Sequence, residues 1–347
     1  MRRRTWLLVA LLGLGMAWGG LPRGREMGSM ALIRTLGVDW EDRQYVVTAS
    51  TGRRARGFQG EEAMEPLILS ARRDTLSAAL AAVAAGSEQE VYFGYVDQLL
   101  LGRELAERGA LPVLERFIGE EELGLGAQVW LICGQAKAAV TCGGEEGAEP
   151  RLTVLAKGEE GSAGFGRTVG AVLTDLNENG CAYVPALEQD QRGLLWEKGC
   201  GILAADGLRG WLFGAEAQGM KLLTGGGAGD VIELAGGRAA EIVGVRTGLT
   251  WEEDSRTMVV RCRIALRLTE GGAGLAQEER EALLRQIETL EEEQIGGTLR
   301  TLSNWKSDCL GLGRRLRAEH PFRTGGKDVF SNSMLRGAVQ AVWEPSG

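Results

Sequence analysis

The stretch Thr257-Met258-Val259-Val260-Arg261-Cys262-Arg263-Ile264-Ala265-Leu266-Arg267-Leu268 sets apolar residues against arginines at every second position over most of its length. A period of two lays one face of a strand on a core and leaves the other in water. Residues 277–309, a few positions further on, change the period. Leu283, Leu284, Ile287, Leu290, Ile295, Leu299, Leu302 and Trp305 follow one another at mostly three- or four-residue steps, the mark of one apolar stripe on a long amphipathic helix. Strand then helix predicts a sheet with the helix packed on it. Arg261, Arg263 and Arg267 then read as solvation of the exposed sheet face. Gly296-Gly297 interrupts the helix at about 1 kcal/mol per glycine relative to alanine, which predicts a kink or a close backbone approach.

Outward from this pair, residues 201–204, 231–234, 240–246 and 335–343 read as further strands. Before them strands and helices alternate, as in a sheet covered by helices. Residues 31–38 and 44–50 form a hairpin about the polar turn Asp39-Trp40-Glu41-Asp42, and 90–95, 96–101, 127–133 and 181–187 are strand candidates. Helices are expected at 75–85, capped by Asp74 and stopped by Gly86, at 102–109, at 113–118 behind Pro112, at 135–140, and at 167–176 up to Gly180. Residues 51–60 read as a loop, and 141–162, rich in glycine and glutamate, as a loop interrupted by 151–156.

The chain has 347 residues, 44% hydrophobic and 25% charged, with a net charge of −8. That length suits more than one domain, and the composition excludes a polytopic membrane protein and a disordered chain. Lys and Arg are nowhere dense enough to follow a phosphate backbone, so no nucleic-acid partner is expected. Arg2, Arg3 and Arg4 followed by the apolar run 6–18 form an export leader, assigned to residues 1–20; the run is short for a spanning helix. The expected division is 1–20 leader, 21–200 N-terminal α+β region and 201–347 a C-terminal region of sheet plus long helix.

No catalytic, cofactor or metal site is expected. Cys133, Cys142, Cys181, Cys200, Cys262 and Cys309 contain no C-x-x-C pair, and both disulfide pairing and buried free thiols remain open for them. His320, the single histidine, precedes Pro321 and reads as a turn residue, with no G-x-S-x-G elbow to serve. The run 224–230, Thr-Gly-Gly-Gly-Ala-Gly-Asp, lacks the Gly-Lys-Ser/Thr and following helix of a phosphate loop and reads as a flexible turn before a strand. Glu61, Glu62 and Glu65, and Glu291, Glu292 and Glu293, read as solvated faces.

Several segments resemble, in order, the C subunit of spore germination receptors, the Ger(x)C (GerAC-like) family. They are Arg25-Glu26 with residues 30–39, Val91-Tyr92-Phe93-Gly94-Tyr95 with residues 100–109, Glu216-Ala217-Gln218-Gly219, and Asp308-Cys309-Leu310-Gly311-Leu312-Gly313 with His320-Pro321. The resemblance implies a multi-domain α+β protein of mixed and antiparallel sheets packed with helices. It further implies a non-enzymatic subunit of a nutrient germinant receptor on the outer face of the spore inner membrane, assembled with two integral membrane subunits of A and B type. Family members are typically lipoproteins, whereas Leu21 stands here where the lipid-bearing cysteine would be. An uncleaved leader or contact with the membrane subunits is the expected substitute. Asp308 and Gly311 are expected to fix the turn after the long helix. Two other readings compete: an exported solute-binding protein of the cell envelope, and an exported hydrolase working with clustered carboxylates. Whether the chain touches a small molecule directly is left open.

Overall fold

The computed structural model describes residues 30–52, 65–119, 123–143, 147–157, 166–272, 275–319 and 329–344. The expected leader, most of the 51–60 loop, Glu61, Glu62, and the His320-Pro321 pair lie outside them. The fold is α+β, as expected, with mixed sheets and a long helix near the C-terminus.

Eight strands make the larger sheet: β2 (Thr35–Glu41), β3 (Gln44–Ser50), β4 (Ile68–Arg73), β6 (Gln98–Leu101), β7 (Gln128–Ile132), β8 (Cys181–Gln189), β9 (Leu195–Ala204) and β10 (Gly207–Phe213), in the order β10-β9-β8-β7-β6-β2-β3-β4. β8, β7, β6 and β2 run parallel at the centre and antiparallel hairpins flank them on both sides. β1 (Met30–Leu32) pairs separately with β5 (Glu90–Tyr92). The central strands are apolar without alternation because both of their faces are covered. Leu99, Leu101, Val129 and Leu131 face α1 (Leu76–Ala85), α2 (Arg103–Arg108), α3 (Leu111–Gly119) and α6 (Val169–Asn179). Leu100, Trp130 and Ile132 face α4 (Ala136–Val140) and α5 (Glu149–Lys157).

The hairpin turn is tighter than expected: Asp42 and Arg43 hold positive φ of 48° and 67° as its two central residues. Asp39 is therefore a strand residue, 3% exposed, whose carboxylate accepts the N–H groups of Ala136 (2.7 Å) and Lys137 (2.8 Å) at the start of α4. Burial pushes its pKa up while those two bonds pull it down. Gly102 leaves room for this carboxylate, since a Cβ there would overlap Asp39 Oδ1. The cap of α1 also moves: Thr75, not Asp74, accepts the Ala78 N–H at 3.2 Å.

The smaller sheet is β11 (Val231–Leu234), β12 (Arg238–Glu252), β13 (Thr257–Glu270) and β14 (Met334–Trp343), with β14 parallel to β13. Its inner face meets α8 (Gln277–Asn304), α7 (Ala215–Leu223) and α9 (Leu312–Glu319) in a core that also contains Cys181, Cys200, Ile202, Ala204 and Leu212 from β8–β10. The two sheets thus share apolar contacts. The expected division at 200/201 falls inside β9, a strand of the larger sheet. β10 and α7 went unread in the sequence, and α5 occupies a segment read as mostly loop.

The backbone approach anticipated at Gly296-Gly297 is real, yet the glycines that permit it belong to the neighbours. A Cβ at Gly219 of α7 would stand 2.5 Å from Gln294 O, and one at Gly337 of β14 would overlap Ile295. A Cβ added at Gly296 would have Arg300 Nη1, at 3.6 Å, as its nearest neighbour beyond the adjoining helix backbone. Accordingly Gly219→Ala lowers unfolding free energy by about 1–3 kcal/mol in urea denaturation, as overpacking does. Gly296→Ala leaves it unchanged or raises it by up to about 1 kcal/mol.

Candidate functional site

The densest buried charge lies where α7, α8 and β9 meet. Glu197 comes from β9, Gln218 and Lys221 from one face of α7, Asp230 from the loop after α7, and Glu291 from the inward stripe of α8. Gln218 Nε2 donates to Asp230 Oδ2 at 2.8 Å; Lys221 Nζ lies 3.5 Å from the same oxygen and 3.9 Å from Glu197 Oε1. Glu291 is 1% exposed, and its Oε2, like Glu197 Oε2, has no hydrogen-bond partner. Burial, then the charge of Asp230, pushes the Glu291 pKa up to about 7. Burial also raises Glu197, with Lys221 opposing. Lys221 stands between Glu197 and Asp230, whereas Glu291 faces the charge of Asp230 from a buried position, which favours a proton on Glu291.

This overturns the solvated reading of residues 291–293 for Glu291 alone. Glu291 is interior, and Glu292 Oε1 accepts the Val339 N–H at 3.0 Å while Glu288 Oε1 accepts that of Ala341 at 2.9 Å. One turn apart on α8, these carboxylates occupy the hydrogen-bonding edge of β14 where a further strand would pair. Glu292 and Glu293 are both exposed, as is Glu65.

The glycine run 224–230 precedes a strand as expected, but it is bonded rather than loose. Gly225, Gly227 and Gly229 hold positive φ, Gly226 N–H donates to Lys221 O, and Gly229 N–H to Ile242 O at 2.7 Å. Its amides close the end of α7 and join it to β12. The six cysteines are free thiols, four of them buried, and burial drives Cys181 to about 12. Arg261, Arg263 and Arg267 are exposed on the outer face of β13, as anticipated. Asp308 accepts the N–H groups of Leu312 (2.7 Å) and Gly313 (2.8 Å), and Gly311 has φ +63°, so both residues do fix the turn between α8 and α9. Among the described residues no group of three or more His, Cys, Asp or Glu is arranged to hold a metal ion.

The residues at the α7–α8 seam are those of the resembling motif 216–219. Glu216 O accepts Thr298 Oγ1–H at 2.8 Å and Glu216 Oε1 accepts Thr301 Oγ1–H at 2.6 Å, Gln218 holds Asp230, and Gly219 gives α8 its clearance. At this seam and at the α9 cap the motif residues act as packing devices, setting how close α7, α8 and α9 come to their neighbours. Residues 23–189 match the family model for the spore germination protein N-terminal domain, and residues 198–332 match that for the spore germination B3/GerAC-like C-terminal domain. The chain belongs to the GerAC-like family of spore germination proteins. The crystal structure of the GerBC protein is similar, with a TM-score of 0.58 at 17% identity over 89% of this chain and 96% of that one. At that identity the likeness speaks for the fold. No curated protein matches the chain.

Glu291 sets a pH signature. Its folded pKa near 7 stands above the ordinary 4.5, so between these values the folded chain binds the extra proton and stability falls as pH rises. Glu291→Gln removes this dependence and stabilises the protein at pH 8 by about 2–3 kcal/mol more than at pH 4.5, at about 1.4 kcal/mol per pKa unit. Urea midpoints across pH 4.5–8 check it.

Proposed function

We propose that this chain is the C subunit of a nutrient germinant receptor, working without catalysis of its own on the outer face of the spore inner membrane. The observation that carries this reading is the succession of two germination-protein domains over residues 23–189 and 198–332. In this reading two integral membrane subunits, of A and B type, are its partners, and the chain transmits or stabilises their response through contact. The basic tip and apolar run of residues 1–20 support export. None of the described helices is long and apolar enough to cross a membrane. With Leu21 where a lipid-bearing cysteine would stand, retention at the membrane depends on the leader or the partners. A single acyl chain holds a protein only marginally in any case.

Solubilising dormant spores in mild detergent and capturing the C-terminally tagged chain tests the reading. Two polytopic proteins recovered by mass spectrometry in comparable amount to the bait are the expected result. Recovery of the bait alone, cleaved and soluble, would overturn it in favour of an envelope solute-binding protein.

A further inference from the structure

The smaller sheet turns one face to α8; on the other, among the described residues, Thr257 and Val259 are buried at one end while Arg246, Arg261 and Arg263 are exposed along the middle. Strand parity and register set the side chains of that second face in rows: Arg246, Arg263 and Gln340 in one, Gly248, Arg261 and Ala338 in the next, Gly244, Ala265 and Val342 on the other side. At both ends of this face the arginines are neutralised. Arg267 lies 2.8 Å from Glu344 and 3.6 Å from Glu241, and Arg336 lies 2.5 Å from Glu252. Arg246, Arg261 and Arg263, all exposed, have no ion-pair or hydrogen-bond partner among the described residues. Like charges directly opposed across a sheet are destabilising. Arg246 and Arg263 are such a pair, in a chain whose 47 acids outnumber its 39 bases.

Beside the pair, small side chains leave a cavity of about 450 Å3, lined by Gly244, Arg246, Arg263, Ala265, Val342 and Glu344 among others. That volume is in the range of small-molecule sites. Guanidinium groups bind carboxylate and phosphate through two parallel N–H bonds. A flat anionic surface such as a bilayer fits less well, because the three arginines unpaired among the described residues occupy only the middle of the face, between the ion pairs of Arg267 and Arg336.

We propose that Arg246 and Arg263, with Arg261 beside them, form a binding site for a small molecule bearing an oxyanion, carboxylate or phosphate, whose body lies over Gly244, Ala265 and Val342. The site goes beyond the receptor-subunit reading and does not depend on it.

Thermal unfolding of the full chain, followed by tryptophan fluorescence, tests the site with inorganic phosphate and with citrate at about 10 mM, each against sodium chloride of equal ionic strength. At least one probe raises the Tm by about 3 °C; phosphate alone points to a phosphate ester, citrate alone to a carboxylate, and both to oxyanions in general. Arg263→Gln and Arg246→Gln lose the rise, while their own Tm without ligand is unchanged or higher by about 1 °C because the repulsion is gone. Arg192→Gln, on the distant β8–β9 turn, keeps the rise. No rise beyond chloride with either probe, or an undiminished rise in Arg263→Gln, would overturn the proposal.

Discussion

Helix α8 lies closer to its neighbours than two ordinary side chains would allow, and the C-terminal half depends on that approach. Gly219 and Gly337 supply the clearance on either side, Thr298 and Thr301 bind Glu216, and Glu288 and Glu292 take the edge N–H groups of β14. The apolar stripe of α8, with Leu283, Ile287, Ile295, Leu299 and Leu302, then fills one core with residues of β8–β10 and of the smaller sheet. Burial of that stripe is the largest favourable term available to the region, at about 1.5–3 kcal/mol for each fully buried aliphatic side chain. The glycines and carboxylates decide where it is buried.

The two segments that match separate family models are joined through this same core. Cys181 and Cys200 stand in the first and at the start of the second, and both pack with α8. The charged cluster of Glu197, Lys221, Asp230 and Glu291 lies across the same junction, so a proton on Glu291 reports on the contact between β9, α7 and α8.

Periodicity made much of the fold legible. β13 and α8 were read within a few residues because their apolar positions repeat at two and at three to four over long stretches. α7 escaped because it is short and has Gly219 at its centre, where the helix gives up propensity for proximity. The roles of Asp39, Glu291 and Glu292 were not legible, since their partners lie far away in the chain: Asp39 caps a helix 97 positions on, and Glu292 binds an amide 47 positions on. A carboxylate in a run of three looks solvated until the fold shows which one points inward. The family-like motifs were legible as residue strings, and the structure gives them physical reasons: Gly102 clears Asp39, Gly219 clears α8, and Asp308 with Gly311 turns the chain into α9.

Native-state hydrogen exchange of the full chain, followed by mass spectrometry across a denaturant series, tests most directly whether one core unites both halves. Peptides from β8–β10 and peptides from α8, β12 and β13 should lose protection together, with the same denaturant dependence. Loss of protection in α8 and the smaller sheet at lower denaturant, with β8–β10 still protected, would contradict the account.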